Sequence, residues 1–575
     1  MKLVKYLLVL AVALCAITST SNAQTVAFLG GGSSALFLEL GQAAATYEAS
    51  LGGATCIWTS KSLTSNDIAA SDRRTSTATL ETGNIWVVWN AGTGTCAAPA
   101  GSYNVYSYMS LDSVIGDRCY FEVDSSGTPG CVQVMTPTST EASTLGNLLC
   151  YPSATTCTQF GDTTALPTTI STALNGLHWF VAGTDIRPED AKFASYRIFQ
   201  PCGSAIWRQP FDQGLRQTYG LGYGTSTTGV GTTISSFYST KTFHVLDFNI
   251  TGTDPINTSA TVPTYTVSTV GAQPILVAVA PAGGTGIGAA TDINTFTLTL
   301  FYQGILGRTT DLFGPTTTAP VITLVREPLS GTYNTFEFSV PNTSQFHGSQ
   351  DDNNCSSSAT VFSNPMNLQS TNGQYLAYRR RVIGTGEMVS TLLGAGTAGE
   401  NRLGYFFWSA ANASGSTATN VKYLTVNGVD PLLNAYSDGV LPGSDTSHPL
   451  SNITFKWLNQ GDYPVWSALR LVSKSPTPAG VTNLIAAAQT LNSTQNDFIP
   501  LSRLTVWHSH YYLPAIGSQV SANGATLSTT GDLCGASGAL AEFGGDAGGS
   551  NTIKQANAHF CADFGNINGL INKAN

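Results

Sequence analysis

Residues 325–336 read VREPLSGTYNTF. A short β-branched run ends at Arg326 and passes through Glu327, Pro328 and Leu329 to Ser330, Gly331 and Thr332, where a helix start is expected. Each of these residue types has a reason to stand there. Serine is favoured as an N-cap, glycine lets backbone N–H groups face a ligand closely, and a helix N-terminus carries about half a positive charge. A strand that delivers a cation to such a helix start has the composition of an anion site.

Outward from this stretch the chain alternates between strand-like and helix-like runs. TVAFLG (25–30) is a strand, followed by a glycine turn and a helix, SALFLELGQAAATYEA (34–49). LHWFVAGTD (177–185) is a strand before a helix start at RPEDAKFA, and PILVAVAP (274–281) reads as a buried strand. FTLTLFYQGIL, VITLVRE and LGYFFWSA follow, with helical or loop material between them. This alternation predicts α/β lobes with mainly parallel sheets. From about 53 to 170 the chain is rich in Thr, Gly, Ser and Cys, with strands expected at NIWVVWN and YNVYSYM. The tail, 551–575, reads as a short helix pair, and no repeat occurs at solenoid or propeller periods.

The chain opens with Lys2 and Lys5 before an apolar run, Leu7 to Ile17, and a small polar stretch ending at Ala23. This is the pattern of a secretory signal cleaved after Ala23, and the run is too short for a membrane span. About 550 residues then remain, more than one hydrophobic core accommodates, so two or more lobes are expected. A net charge of −9 argues against nucleic acid or an anionic membrane as partner. Without Cys15 the cysteines number ten, and an even count in an exported chain predicts disulfides. Cys56 and Cys96, Cys119 and Cys131, Cys150 and Cys157, and Cys534 and Cys561 are neighbours in sequence, leaving Cys202 and Cys355, although spacing alone does not fix the pairing. No CxxC pair supports zinc.

Two further junctions repeat the chemistry of residues 325–336: GGGSSALF places Ser33 and Ser34 at a helix start, and YMSLDSVIG places Ser113 just after a strand. In AGTD, Thr184 and Asp185 follow a strand, where an Asp is ordinarily a cap or turn residue. Together they predict several helix N-termini aimed at one anion. Other signals are weaker. GAGTAG (394–399) lies between a helix and a strand in the order opposite to a dinucleotide site and reads as a loop. His508 and His510 have no acidic or cysteine partner nearby, and QDDNN (350–354) lacks the spacing of a calcium loop. There is no GxSxG, HExxH or P-loop lysine, so an enzyme is not expected.

In order along the chain, GGGSSALF, LHWFVAGTD, PILVAVAP, FTLTLFYQGILGRTTDL, VREPLSGT, NRLGYFFWSA and DYPVWSALRLV resemble segments of the substrate-binding proteins of phosphate ABC transporters and the related secreted DING proteins. The resemblance implies a two-lobed type 2 periplasmic binding protein fold of the α/β class, with β-rich, disulfide-pinned insertions at about 53–105 and 118–170. Its first lobe would take residues 24–272 and 446–575, and its second lobe 273–445. Carried over residue by residue, the phosphate ligands fall on Ser34, Ala35 (through its backbone), Ser113, Asp185, Arg326, Ser330, Gly331 and Thr332. The family usually has an acid two positions after the arginine to brace it. Here Pro328 stands there and the acid is Glu327, which predicts a different setting of Arg326. The resemblance further implies a monomeric protein, periplasmic or secreted and without cofactor or metal, that captures phosphate or a close oxyanion for an ABC permease. The alternatives are a secreted surface or interaction protein that keeps the fold without transport, and a phosphatase-like hydrolase, which would need an activated nucleophile or two metals.

Overall fold

The structure is a computed structural model. It describes residues 24–60, 67–70, 79–123, 131–133, 135, 148–150, 157–160, 165–199, 205–207, 217–219, 248–254, 258–282, 286–340, 350, 366–369, 376–382, 384–410, 412, 421–492, 497–504, 506–508 and 571–573. The expected signal, Cys202, Cys355, Cys534, Cys561, His510 and most of QDDNN and of the tail lie outside the described residues.

A 14-stranded mixed sheet organises the chain. Twelve strands form its main path: β1 (Gln24–Ser33), β2 (Thr55–Ser60), β3 (Asn84–Asn90), β4 (Tyr103–Leu111), β5 (Thr158–Phe160), β6 (Val181–Thr184), β7 (Tyr265–Ala280), β8 (Val321–Arg326), β9 (Met366–Gln369), β10 (Leu376–Val382), β11 (Asn401–Phe407) and β12 (Trp466–Lys474). Their order is β9-β10-β8-β11-β7-β12-β6-β1-β4-β3-β2-β5. The 16-residue β7 joins the two halves. Tyr265 to Pro274 pair antiparallel with β12, and Ile275 to Ala280 pair antiparallel with β11. From Thr269 onward every residue of β7 is buried, as expected for a strand whose PILVAVA run is continuous rather than alternating.

The sheet is not mainly parallel, as the alternation had predicted. Parallel pairing is confined to β1 with β4 and β6, β8 with β10 and β11, and β2 with β5. The long β7 and its partner β12 run against their neighbours, and β2 and β3 join β4 through antiparallel pairing. Residues 55–60 and 84–90 are therefore part of the main sheet, extending it beyond β4. GAGTAG is also not simply a loop, because Ala395–Ala398 form a single helical turn that ends at Gly399, whose φ of 66° suits glycine.

Helices α1 (Phe37–Ser50), α2 (Ser113–Phe121), α3 (Pro188–Phe199), α4 (Gly331–Ser339), α5 (Gly384–Leu393) and α6 (Ala479–Thr490) pack on this frame. Disulfides join Cys56 to Cys96, Cys119 to Cys131 and Cys150 to Cys157, with Cα separations of 5.6, 4.9 and 5.6 Å. The second ties the last turn of α2 to the chain beyond it. Among the described residues no helix is long and apolar enough to cross a membrane.

Candidate functional site

β1, β4 and β6 are parallel neighbours, so their carboxyl ends lie side by side, and each leads into a helix start: Ser34, Ser113 and Pro188. In open α/β sheets ligands bind outside such carboxyl ends. α2 reaches this edge because glycines leave room for it. A Cβ on Gly116 would stand 2.6 Å from the Gly32 Cα and 2.7 Å from the Gly31 carbonyl oxygen. Gly32 itself has φ of 135°, so both contacting positions favour glycine.

The stretch that ends β8 meets this edge from the other half of the sheet. The Val114 N–H donates to the Leu329 carbonyl over 3.2 Å. Gly331, first residue of α4, lies so close to Asp185 and Ser113 that a Cβ there would overlap Asp185 Oδ1 and Ser113 Oγ. The Ser113 hydroxyl donates to Asp185 Oδ1 in a short contact, while the Asp185 N–H donates to Ser113 Oγ over 3.3 Å. The Ser467 hydroxyl donates to the Asp185 carbonyl and fixes that residue from β12. Ser330 caps α4, its Oγ accepting from the Tyr333 N–H over 3.3 Å. Ser330 and Thr332 are both buried.

At the β1 end, Ser33 rather than Ser34 turns inward. Ser33 is buried, caps the following turn by accepting from the Ala35 N–H over 3.2 Å, and hydrogen-bonds the Asp185 carboxylate. Ser34 is half-buried and Ala35 is buried. Asp185 is thus bonded by two hydroxyls and its own N–H. Burial pushes its carboxyl above the usual carboxylate range, while the bonds from Ser113, its backbone and Ser33, together with the Arg326 charge, oppose that rise.

Arg326 is 1% exposed and fully engaged on one side. Its Nε donates to Glu327 Oε2 at 2.8 Å and its Nη2 to Glu327 Oε1 at 2.7 Å, a bidentate pair between adjacent residues. Glu327 therefore supplies the brace that Pro328 cannot. Nη1 donates to Thr385 Oγ1 at 2.9 Å, and Nη2 also approaches Asp112 Oδ1 at 3.4 Å. The Gly384 N–H, at the start of α5, donates to Glu327 Oε1 at 3.0 Å. Burial alone would raise the Glu327 carboxyl, but the Arg326 guanidinium outweighs it and holds Glu327 below the usual range.

The structure thus brings Ser113, Asp185, Arg326, Ser330, Gly331 and Thr332 into one buried cluster, with Ala35 and the half-buried Ser34 at its β1 side. Sequence reasoning missed Asp112 and Thr385. Asp112 stands beside Ser113 in the same strand-to-helix junction, where only the serine drew notice, whereas Thr385 comes from a separate helix start with no motif of its own. Among the described residues no group of three or more His, Cys, Asp or Glu side chains forms a metal site.

No family model matches the chain, and no curated protein matches it. Solved structures do. A phosphate-binding protein from Stenotrophomonas maltophilia is similar at 14% identity over 58% of this chain and 80% of its own, with a TM-score of 0.27. An ABC-type phosphate transport receptor from Vibrio cholerae is similar at 14% identity over 42% and 72%, with a TM-score of 0.23. PstS from Borrelia burgdorferi is similar at 16% identity over 41% and 72%, with a TM-score of 0.24. TM-scores this low decide neither the fold nor the function of this chain.

Proposed function

We propose that this protein is an extracytoplasmic solute-binding protein that holds inorganic phosphate or a close oxyanion between two lobes and presents it to an ABC permease. The observation that carries this reading is the meeting of Gly331, Ser113 and Asp185 at the carboxyl ends of strands from both halves of the sheet, beside Arg326. Arg326 supplies positive charge to the anion, the helix starts at Ser113 and Gly331 supply N–H groups, and Ser34, Ala35, Ser330 and Thr332 complete the donor set. Asp185 accepts a proton-bearing oxygen. At neutral pH phosphate keeps at least one proton and sulfate keeps none, so a fixed carboxylate favours the first and repels the second. The lobes are 24–272 with 446–575, and 273–445. The switch of β7 from β12 to β11 after Pro274 falls two residues from that boundary. Closing them on the anion is the state a permease reads.

A second reading has its own observation. Arg326 already has Glu327 on two of its nitrogens and Asp112 beside one, an arrangement that also suits a surface protein keeping the fold without a ligand. Titration calorimetry with phosphate, arsenate and sulfate separates the two. Micromolar or tighter binding of phosphate with weak sulfate binding supports capture, and no heat with any of the three favours the interaction protein.

A further inference from the structure

Asp112 occupies the N-cap of α2, where an aspartate ordinarily turns its carboxylate onto the helix's own N–H groups. It makes no such bond. Its side chain, 13% exposed, instead crosses to the β8 end, where Oδ1 lies 3.4 Å from Arg326 Nη2, the nitrogen that already donates to Glu327 Oε1 over 2.7 Å. Two carboxyl groups that share one buried guanidinium nitrogen are accommodated at least cost when one keeps its proton. Glu327 takes both short bonds from Arg326 and the Gly384 N–H, the surroundings of a carboxylate, which leaves Asp112 as the group placed to hold the proton. Burial, followed by the Glu327 charge, holds the Asp112 carboxyl well above its ordinary range, against the pull of Arg326.

We propose that Asp112 is a proton-holding selectivity residue: an incoming oxyanion replaces its long contact on Arg326 Nη2, leaves the short Glu327 bonds intact, and binds only while Asp112 is neutral. This rests on the anion reading above. The charge count gives the reason. Beside one buried guanidinium stand the Glu327 carboxylate and Asp185, and an anion adds another negative charge; an ionised Asp112 would add one more, with no second cation in ion-pair contact with it among the described residues. The other titratable groups that face the cluster do not relieve this. Tyr405 from β11 accepts from the Arg326 N–H over 3.4 Å, Arg381 from β10 is turned onto the Arg326 carbonyl, and Tyr108 from β4 donates to the Ser33 carbonyl at 2.6 Å. Above the pH at which Asp112 ionises in the unliganded protein, binding must therefore take up a proton.

The test is calorimetry of the full chain with inorganic phosphate, from mildly acidic to mildly alkaline pH and in two buffers of different ionisation heat, on wild type and Asp112→Asn. The amide keeps the shape of the neutral acid and cannot ionise, and phosphate's own titration is common to both proteins. Wild type is expected to lose up to about tenfold in affinity per pH unit beyond that common trend, with a matching extra proton taken up, and Asp112→Asn to lose neither. Coincident pH profiles and proton counts would overturn the proposal. Asp112→Ser, also unable to ionise, gives the same comparison if the amide variant does not fold. Should wild type fail to bind phosphate at all, the capture reading falls, and infrared spectra of the resting protein decide whether Asp112 holds the proton. A protonated carboxylic acid band at neutral pH that Asp112→Asn removes supports it, and a spectrum unchanged by the substitution overturns it.

Discussion

Around Arg326 the carboxyls of Glu327 and Asp112 meet one guanidinium, whereas beside β7 the buried carboxyls of Glu39 and Asp497 make no ion pair to a cation among the described residues. Glu39 is fully buried in α1, and neither of its oxygens has a hydrogen-bond partner; it packs so close to β7 that a Cβ on Gly271 would stand 2.8 Å from its Oε1. Asp497 accepts from the Ala410 N–H through one oxygen and has no partner for the other. The two places show how the same residue type takes opposite charge states. Beside Arg326, the guanidinium keeps Glu327 ionised despite full burial. Beside β7, burial and then the Asp497 charge push Glu39 far up, and burial pushes Asp497 up to about 7. One region keeps Glu327 ionised on its guanidinium, and the other shifts both of its acids toward their neutral forms.

Glu327→Ala should have the largest effect. It strips a buried guanidinium of its main partner, which costs about 3–5 kcal/mol, and urea unfolding should show that loss at neutral pH. A loss below about 1 kcal/mol would mean that Asp112 and Thr385 suffice to hold Arg326, and the contrast between the two regions would weaken.

Asp497→Asn should act in the opposite direction. The folded protein keeps the Asp497 proton up to about pH 7, whereas the unfolded chain releases it near 3.8. The group's contribution to stability is therefore full below the unfolded value and is lost as pH rises through about 7. The amide variant escapes that loss, so its stability relative to wild type should climb by up to about 4 kcal/mol from acid to mildly alkaline pH. Thermal melts across that range check it, and parallel curves for the two proteins would place a compensating cation beside Asp497.

Asp185→Asn should have the smallest effect and one confined to selectivity. It exchanges an acceptor for a group that can donate, and should narrow the preference for phosphate over sulfate by about 1–3 kcal/mol, mainly by admitting sulfate. Competition titrations measure it, and an unchanged ratio would make Asp185 a structural partner of Ser113 alone.

What the sequence made legible follows from how local each feature is. Arg326, Ser330, Gly331 and Thr332 sit within seven residues, and a strand, a turn and a helix cap can be read from such a stretch without knowing the rest of the fold. Asp112 was adjacent to a residue already singled out, yet its role depends on Arg326, 214 positions away, and local preference pointed to a cap instead. Ser33 and Ser34 are neighbours whose facing is decided by one residue of register where β1 ends. The parallel sheet was over-predicted because alternating elements do not reveal that β7 runs through both halves and turns its neighbours antiparallel. Glu39 lay within a helix with an apolar run, and nothing in that run announced that its carboxyl would be enclosed.

The most direct test of the central claim is a crystal structure grown with arsenate, whose arsenic scatters anomalously and marks its own position. The account predicts a single strong peak between the Arg326 guanidinium and the starts of α2 and α4, within hydrogen-bonding reach of Ser113 and Asp185. A peak elsewhere, or none at arsenate concentrations that saturate calorimetric binding, would contradict it.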